Sequence, residues 1–141
     1  MRATSTATVS ASPDQVWQVL ADHEGMSRWA PGLKVALRAE GTGDRNGVGA
    51  VRVIDAPGPA PAIVEEIVTF EPGRRLGYRA LSGVPLKNYA GDVTLRDLGG
   101  RTEITYTITA DRRAPLVDQA AAKAISFVLL RALVRQARRT S

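Results

Sequence analysis

Most of this chain consists of short segments in which apolar and polar residues alternate, separated by turns rich in glycine and proline. The pattern predicts seven strands, at residues 4–10, 33–39, 48–54, 62–70, 76–81, 89–97 and 101–110. Because most connections are short enough for hairpins, we expect one antiparallel sheet. The alternation gives the sheet an apolar face and a polar face, so the apolar face must be covered by another element.

The segment after the first predicted strand has the features of a helix start. Ser12 is a good N-cap, Pro13 suits the first helical position, and Asp14 interacts favourably with the positive end of the helix dipole. Apolar residues then recur at helical spacing, and a second short apolar turn follows. The sequence therefore predicts two short helices, with Trp17 and Trp29 substantially buried against the rest of the fold.

The final segment, from Pro115 to Arg139, has no internal glycine or proline and predicts one long helix. Its first three turns carry one broad apolar side, made of Leu116, Val117, Ala120, Ala124, Phe127 and Val128. The centre of that side is small, because it is formed by Ala120, Ala121 and Ala124. Two interpretations stay open: close packing of the helix on the sheet, or lining of a space between them. Arg131 follows one turn later, and we expect it to be solvated.

Length and composition limit the classes of function. The 141 residues predict a single domain, 1–141, and no apolar run approaches the roughly 20 residues that span a bilayer, so stable membrane insertion is not expected. The chain has no cysteine and one histidine, so we expect no disulfide, metal or cofactor. The net charge of +5 includes four arginines near the end of the last helix, but no aromatic residues interleave with them to stack bases, so no nucleic-acid partner is expected. The N-terminus lacks the apolar region of a secretory signal, which predicts a cytoplasmic protein, and homodimerisation is left open.

The order of strand, two short helices, six strands and one long helix resembles the START-related superfamily of polyketide cyclases, dehydrases and lipid-transfer proteins, abbreviated SRPBCC. The resemblance rests on the tryptophan-bearing opening at 11–32 and on the segments 49–53, 65–78, 83–95 and 100–106. The last of these, Gly100-Arg-Thr-Glu-Ile-Thr-Tyr106, is similar to the family's Gly-x-Thr-x-hydrophobic-x-aromatic strand. The resemblance implies an α+β helix-grip fold, in which a seven-stranded antiparallel sheet curves around the C-terminal helix and encloses a cavity.

Several polar residues are candidates for the wall of that cavity. Tyr78, Tyr89 and Tyr106 have the parity of the inward face, where each phenol would orient a ligand oxygen or serve as a core aromatic residue. Either Glu66 or Glu65 faces inward, depending on the parity of its strand, and an inward carboxylate would have a raised pKa and could act as a general acid or base.

Two other polar residues are expected away from the cavity. Arg79 has the parity opposite to Tyr78 and should point outward. His23 lies between the two short helices and is expected at the surface.

We therefore predict that the chain binds or carries a small hydrophobic molecule, such as a lipid, an isoprenoid or a polyketide. The predicted ligand-binding residues are Tyr78, Tyr89, Val93, Tyr106, Val117, Ala120, Ala121, Ala124 and Val128. The alternative is an enzyme of the cyclase or dehydrase kind, with Glu66 and Tyr106 as catalytic candidates. Whether a reaction is catalysed is left open, because the sequence contains no metal triad, nucleophile elbow or phosphate-binding loop.

Overall fold

The computed structural model describes residues 1–30, 32–111 and 115–140, and for 115–122 and 140 it describes the backbone alone. The elements follow the predicted order: β1 (Arg2–Val9), α1 (Pro13–Ala21), α2 (Met26–Trp29), β2 (Lys34–Ala39), β3 (Val51–Asp55), β4 (Ile63–Glu71), β5 (Arg75–Ser82), β6 (Ala90–Asp97), β7 (Thr102–Thr109) and α3 (Pro115–Thr140). The third strand starts later than predicted, at Val51. Gly49, with φ at +91°, interrupts the extended backbone before it.

The strands form one antiparallel sheet in the order β1-β7-β6-β5-β4-β3-β2. Strands β2 to β7 are neighbours in sequence order, whereas β1 pairs with β7 along its whole length, from Arg2 opposite Thr109 to Val9 opposite Thr102. The two short helices therefore carry the chain from one edge of the sheet to the other. The predicted seven-stranded antiparallel sheet is confirmed.

The helix α1 begins as its sequence predicts. The Ser12 hydroxyl accepts a hydrogen bond from the Gln15 backbone, and the Gln15 side chain accepts one from the Ser12 backbone, which together form a capping box. Trp17 packs edge-on against Phe70, with ring centres 5.0 Å apart. Trp17 and Trp29 are both half-buried and pack against the core, so they are less enclosed than a core aromatic residue.

The long helix α3 covers the buried face of the sheet near one edge. It packs mainly against β1 and also contacts β7, α1 and α2. The hydroxyl oxygens of Ser126 on α3 and Ser5 on β1 are 2.8 Å apart, and both residues are buried. Beneath the helix lies an apolar core whose fully buried members include Val9, Val16, Ile67, Leu76, Val93, Ile104, Ile108, Leu130 and Leu133. Among the described residues, no helix is long and apolar enough to cross a membrane.

Candidate functional site

An ion pair lies inside the molecule, between Arg52 on β3 and Glu65 on β4. Each side chain is only 5 % exposed. The Nε and Nη2 atoms of Arg52 each lie 2.8 Å from Oε1 of Glu65. Because the two residues are directly opposite each other in the β3–β4 ladder, the strand register brings the charges together.

The electrostatics of this pair keep the guanidinium charged. Burial alone would lower the pKa of Arg52, but the Glu65 carboxylate and two nearby phenols outweigh it, so the pKa of Arg52 is raised. Burial raises the pKa of Glu65, and the charge of Arg52 opposes that shift. Both contacts from Arg52 are made to the same oxygen of this carboxylate, Oε1.

His23 joins this ion pair from the connection between α1 and α2. Its Nε2 is 2.8 Å from the carbonyl oxygen of Asn46, which can only accept, so Nε2 carries the hydrogen. Its Nδ1 then accepts a hydrogen bond from Nη1 of Arg52, at 3.2 Å. Burial and the charge of Arg52 lower the pKa of His23 to about 4, so the ring is neutral at pH 7. The prediction of a surface histidine is wrong, because these two partners satisfy both ring nitrogens inside the protein.

Two tyrosines extend the cluster across the sheet. The guanidinium carbon of Arg52 lies 4.7 Å from the centre of the Tyr78 ring, a cation–π contact. The hydroxyl oxygens of Tyr78 and Tyr106 are 2.5 Å apart. Burial raises the pKa of Tyr106 to about 12 and that of Tyr78 well above its usual range, so both phenols stay protonated. One hydroxyl donates to the other, which leaves the second phenolic hydrogen for a further acceptor.

A glycine makes this arrangement sterically feasible. Gly91 on β6 lies directly opposite Tyr78 in the β5–β6 ladder. A Cβ atom at this position would collide with the Tyr78 ring. The missing side chain therefore lets the ring extend over β6 towards Tyr106 on β7.

The sheet residues of the predicted site lie together in the interior. Tyr78, Tyr89, Val93 and Tyr106 are all buried and belong to one apolar cluster. Burial raises the pKa of Tyr89 as well, and the nearby Tyr106 adds to the shift. Their role as ligand contacts stays a prediction.

The helix residues of the predicted site divide into two groups. The side chains of Val117, Ala120 and Ala121 lie outside the described residues, so their place in a cavity wall stays a prediction. Ala124 and Val128 are exposed, Val128 by 52 %, and their predicted position facing the sheet is wrong.

The rotation of α3 explains that error. The face turned towards the sheet is formed by Ser126, Leu130, Leu133 and Ala137, which recur at helical spacing. On an ideal helix, Ala124 and Val128 each lie about 160° away from Ser126. The leucines bury more apolar area than the alanines, so the second half of the helix determines which side faces the core.

Glu66 points to the outside of the sheet. Its Oε1 atom is 2.7 Å from Nη2 of Arg79, which is exposed as predicted. Glu66, one of the two catalytic candidates, therefore does not lie in the interior, and Glu65 is the inward glutamate of the two that the sequence left open. A register shift between Val64 and Glu65 breaks the simple alternation of β4, since both residues are buried.

Arg52 is the residue that the sequence analysis missed. It stands between Val51 and Val53, and simple alternation of polarity would place the valines inward. In the structure Arg52 and Ile54 are buried instead. The available signal was the complementary charge of Glu65 at the opposing position of a β3–β4 hairpin.

The comparison with protein families covers nearly the whole chain. The model of the family described as polyketide cyclase / dehydrase and lipid transport matches residues 1–139. The chain belongs to this family. The START-related resemblance seen in the sequence is thereby confirmed, and the family's fold is one that binds hydrophobic ligands.

Solved structures confirm the fold. A START superfamily protein from Mycobacterium smegmatis is similar with a TM-score of 0.83 at 15% identity, covering 99% of each chain. The Zhui aromatase/cyclase from Streptomyces sp. R1128 gives a TM-score of 0.73 at 21% identity, covering 99% of this chain and 94% of its own. A protein from Thermus thermophilus gives 0.79 at 16% identity, covering 100% of this chain and 99% of its own. At these identities the likeness shows the fold alone. A comparison with curated proteins finds no match.

Proposed function

We propose that the chain binds a small hydrophobic molecule through a polar oxygen group, such as a carbonyl, a phenol or a carboxylate. Arg52, Tyr78 and Tyr106 hold that group inside the protein. The observation that carries the proposal is the enclosed set of one charged guanidinium and two protonated phenols within a ligand-binding fold.

The donors of this cluster outnumber the hydrogen bonds that they make with the described residues. A guanidinium has five N–H donors, and among the described residues Arg52 makes three polar contacts, two with Glu65 and one with His23. In the Tyr78–Tyr106 pair, one phenolic hydrogen forms the hydrogen bond between the two hydroxyls and the other is left for a further acceptor. Buried donors are normally satisfied, so this part of the chain is suited to a ligand that supplies an oxygen acceptor.

The energetic cost of the cluster supports the same function. Replacing a buried ion pair by apolar side chains of similar volume is often neutral or stabilising. A domain with a total stability of about 5–15 kcal/mol therefore gains little from burying Arg52 and Glu65 for stability alone. A role in ligand recognition would explain why the buried charges of Arg52 and Glu65 are present.

The surroundings favour an otherwise apolar ligand. The same face carries buried aliphatic residues, among them Leu76, Val93, Ile104 and Ile108. A lipid, an isoprenoid or a polyketide with one oxygen-bearing end fits this chemistry, and the proposal includes carriage of such a molecule.

A cyclase or dehydrase reaction in the same place is the second candidate. The observation that favours it is the charged guanidinium beside protonated phenols, since such donors stabilise the negative charge that develops on a carbonyl oxygen when a neighbouring proton is removed. The reaction also needs a base. Glu65 is paired with Arg52 and Glu66 lies outside, so binding without catalysis is the better supported function.

Titration with a fluorescent anionic apolar probe, 8-anilinonaphthalene-1-sulfonate, tests the proposal. The Arg52→Met/Glu65→Leu variant removes the buried pair, and Arg79→Met/Glu66→Leu removes the matched exposed pair. We expect the first to weaken probe binding at least tenfold and the second to change it less than twofold. Equal affinities in the parent and both variants would contradict the proposed site.

A further inference from the structure

The outward side of the C-terminal half of α3 is both apolar and basic. We call it the outer arc, and it consists of Ile125, Phe127, Val128, Arg131, Arg135, Arg138 and Arg139. Its three apolar side chains are 44 %, 53 % and 52 % exposed, respectively. Large apolar side chains grouped on an exposed surface indicate an interaction site.

The geometry of the helix places these side chains on one side. On an ideal helix the outer arc spans roughly 160°, opposite the face that Leu130 and Leu133 turn to the core. Its apolar residues come first along the axis, and its arginines follow. Arg131 is solvated, as the sequence predicts. Its guanidinium carbon lies 5.6 Å from the centre of the Phe127 ring, so the basic and apolar parts of the outer arc are adjacent.

A groove runs between the basic part of the outer arc and strand β1. Its volume is about 400 Å³, and it is lined by Ala7, Thr8, Arg131, Val134, Arg135, Arg138 and Arg139. The lining contains four arginines and no carboxylate. Glu103, which is opposite Thr8 on the neighbouring strand, is paired with Arg96. Arg131, Arg135 and Arg139 therefore give the groove a positive charge, which complements an anionic surface.

We propose that the outer arc docks on the surface of a membrane that contains anionic lipids. The arginines contact the phosphate and carboxylate groups of the lipids, while Ile125, Phe127 and Val128 enter the boundary between headgroups and acyl chains. A membrane fits better than a nucleic acid, because a phosphate backbone would leave the apolar residues without a partner. Docking of this kind is peripheral, with α3 lying along the surface. It does not depend on what the interior binds.

Vesicle sedimentation tests the proposal on the full chain. Binding to phosphatidylcholine vesicles that contain phosphatidylserine should exceed binding to pure phosphatidylcholine and should weaken as salt is added. Each arginine near an anionic surface raises the membrane partition coefficient about fivefold. The variant Arg131→Gln/Arg135→Gln/Arg139→Gln should therefore have a partition coefficient roughly a hundredfold lower at low salt. The variant Phe127→Gln/Val128→Gln should lose binding at high salt as well, because it removes the apolar contribution.

A second triple variant controls for total charge. Arg38→Gln/Arg74→Gln/Arg101→Gln also lowers the net charge from +5 to +2, but its substitutions are exposed positions on other parts of the fold. The partition coefficient of this variant should fall less than about fivefold. An equal loss in both triple variants would overturn the proposal, as would equal binding to neutral vesicles or tighter binding to a DNA duplex. All the substituted side chains are exposed, and unchanged melting temperatures verify that the variants are folded.

Discussion

Removing Arg52 should destabilise the protein far more than removing an ordinary surface arginine. In Arg52→Met the Glu65 carboxylate stays buried without its partner, and His23 loses the donor to its Nδ1. Breaking a buried pair on one side costs about 3–5 kcal/mol. In the matched control Arg79→Met, the partners are 60 % and 28 % exposed, and the expected cost is about 0–1 kcal/mol.

Removing both charges should restore a large part of that loss. In Arg52→Met/Glu65→Leu no unpaired charge remains, and the remaining loss in the free energy of unfolding is that of the unpaired His23 Nδ1 acceptor, about 1–3 kcal/mol. Urea unfolding followed by tryptophan fluorescence measures each variant, because the chain contains two tryptophans. A single variant that costs less than about 1 kcal/mol, or a double variant as unstable as the single one, would refute the reasoning.

Three further predictions concern single positions. The pKa of His23 is lowered to about 4, so as the pH falls the unfolded chain takes up a proton at this residue before the folded chain does. The contribution of His23 to the free energy of unfolding should be full above about pH 6.5 and should fall by roughly 3 kcal/mol towards pH 4, relative to His23→Gln. Parallel pH profiles of the parent and His23→Gln in urea unfolding would contradict this. Gly91→Ala should cost about 1–3 kcal/mol by collision with Tyr78, and the cost should largely disappear in a Tyr78→Leu background, so an unchanged cost there would argue against the collision. Trp17→Ala should lower the free energy of unfolding by less than the roughly 3–5 kcal/mol lost with a fully enclosed ring, because Trp17 is half-buried beside Phe70. A larger loss in urea unfolding would disprove this.

The fold could be predicted from the sequence because its signals are local. Alternation, turn residues and the N-cap at Ser12 mark where each element begins, and the long segment without glycine or proline marks α3. These signals depend on neighbouring residues only. The predicted strands consequently agree with the structure, apart from a few terminal residues.

The polar cluster could not be predicted in the same way, because it depends on contacts between strands. Arg52 faces inward opposite Glu65, and next to the register shift in β4 both Val64 and Glu65 are buried, so simple alternation does not identify the inward glutamate. His23 is buried because Arg52 and Asn46 come from distant parts of the chain to satisfy it.

The rotation of α3 is a similar case. The alanine-rich first turns suggested one inward side, but Ser126, Leu130 and Leu133 in the later turns set the packing on β1. The helical period of the apolar residues does not by itself show which of two apolar rows faces the sheet. The choice depends on which row buries more area against the sheet.

Native mass spectrometry of the freshly purified protein tests the central claim most directly. We expect a fraction of the parent chain to carry one small, largely apolar molecule with an oxygen-bearing group. That adduct should be absent from Arg52→Met/Glu65→Leu and present in the exposed control Arg79→Met/Glu66→Leu. An adduct that is retained equally by the parent and both variants would contradict the claim that the buried cluster holds the ligand.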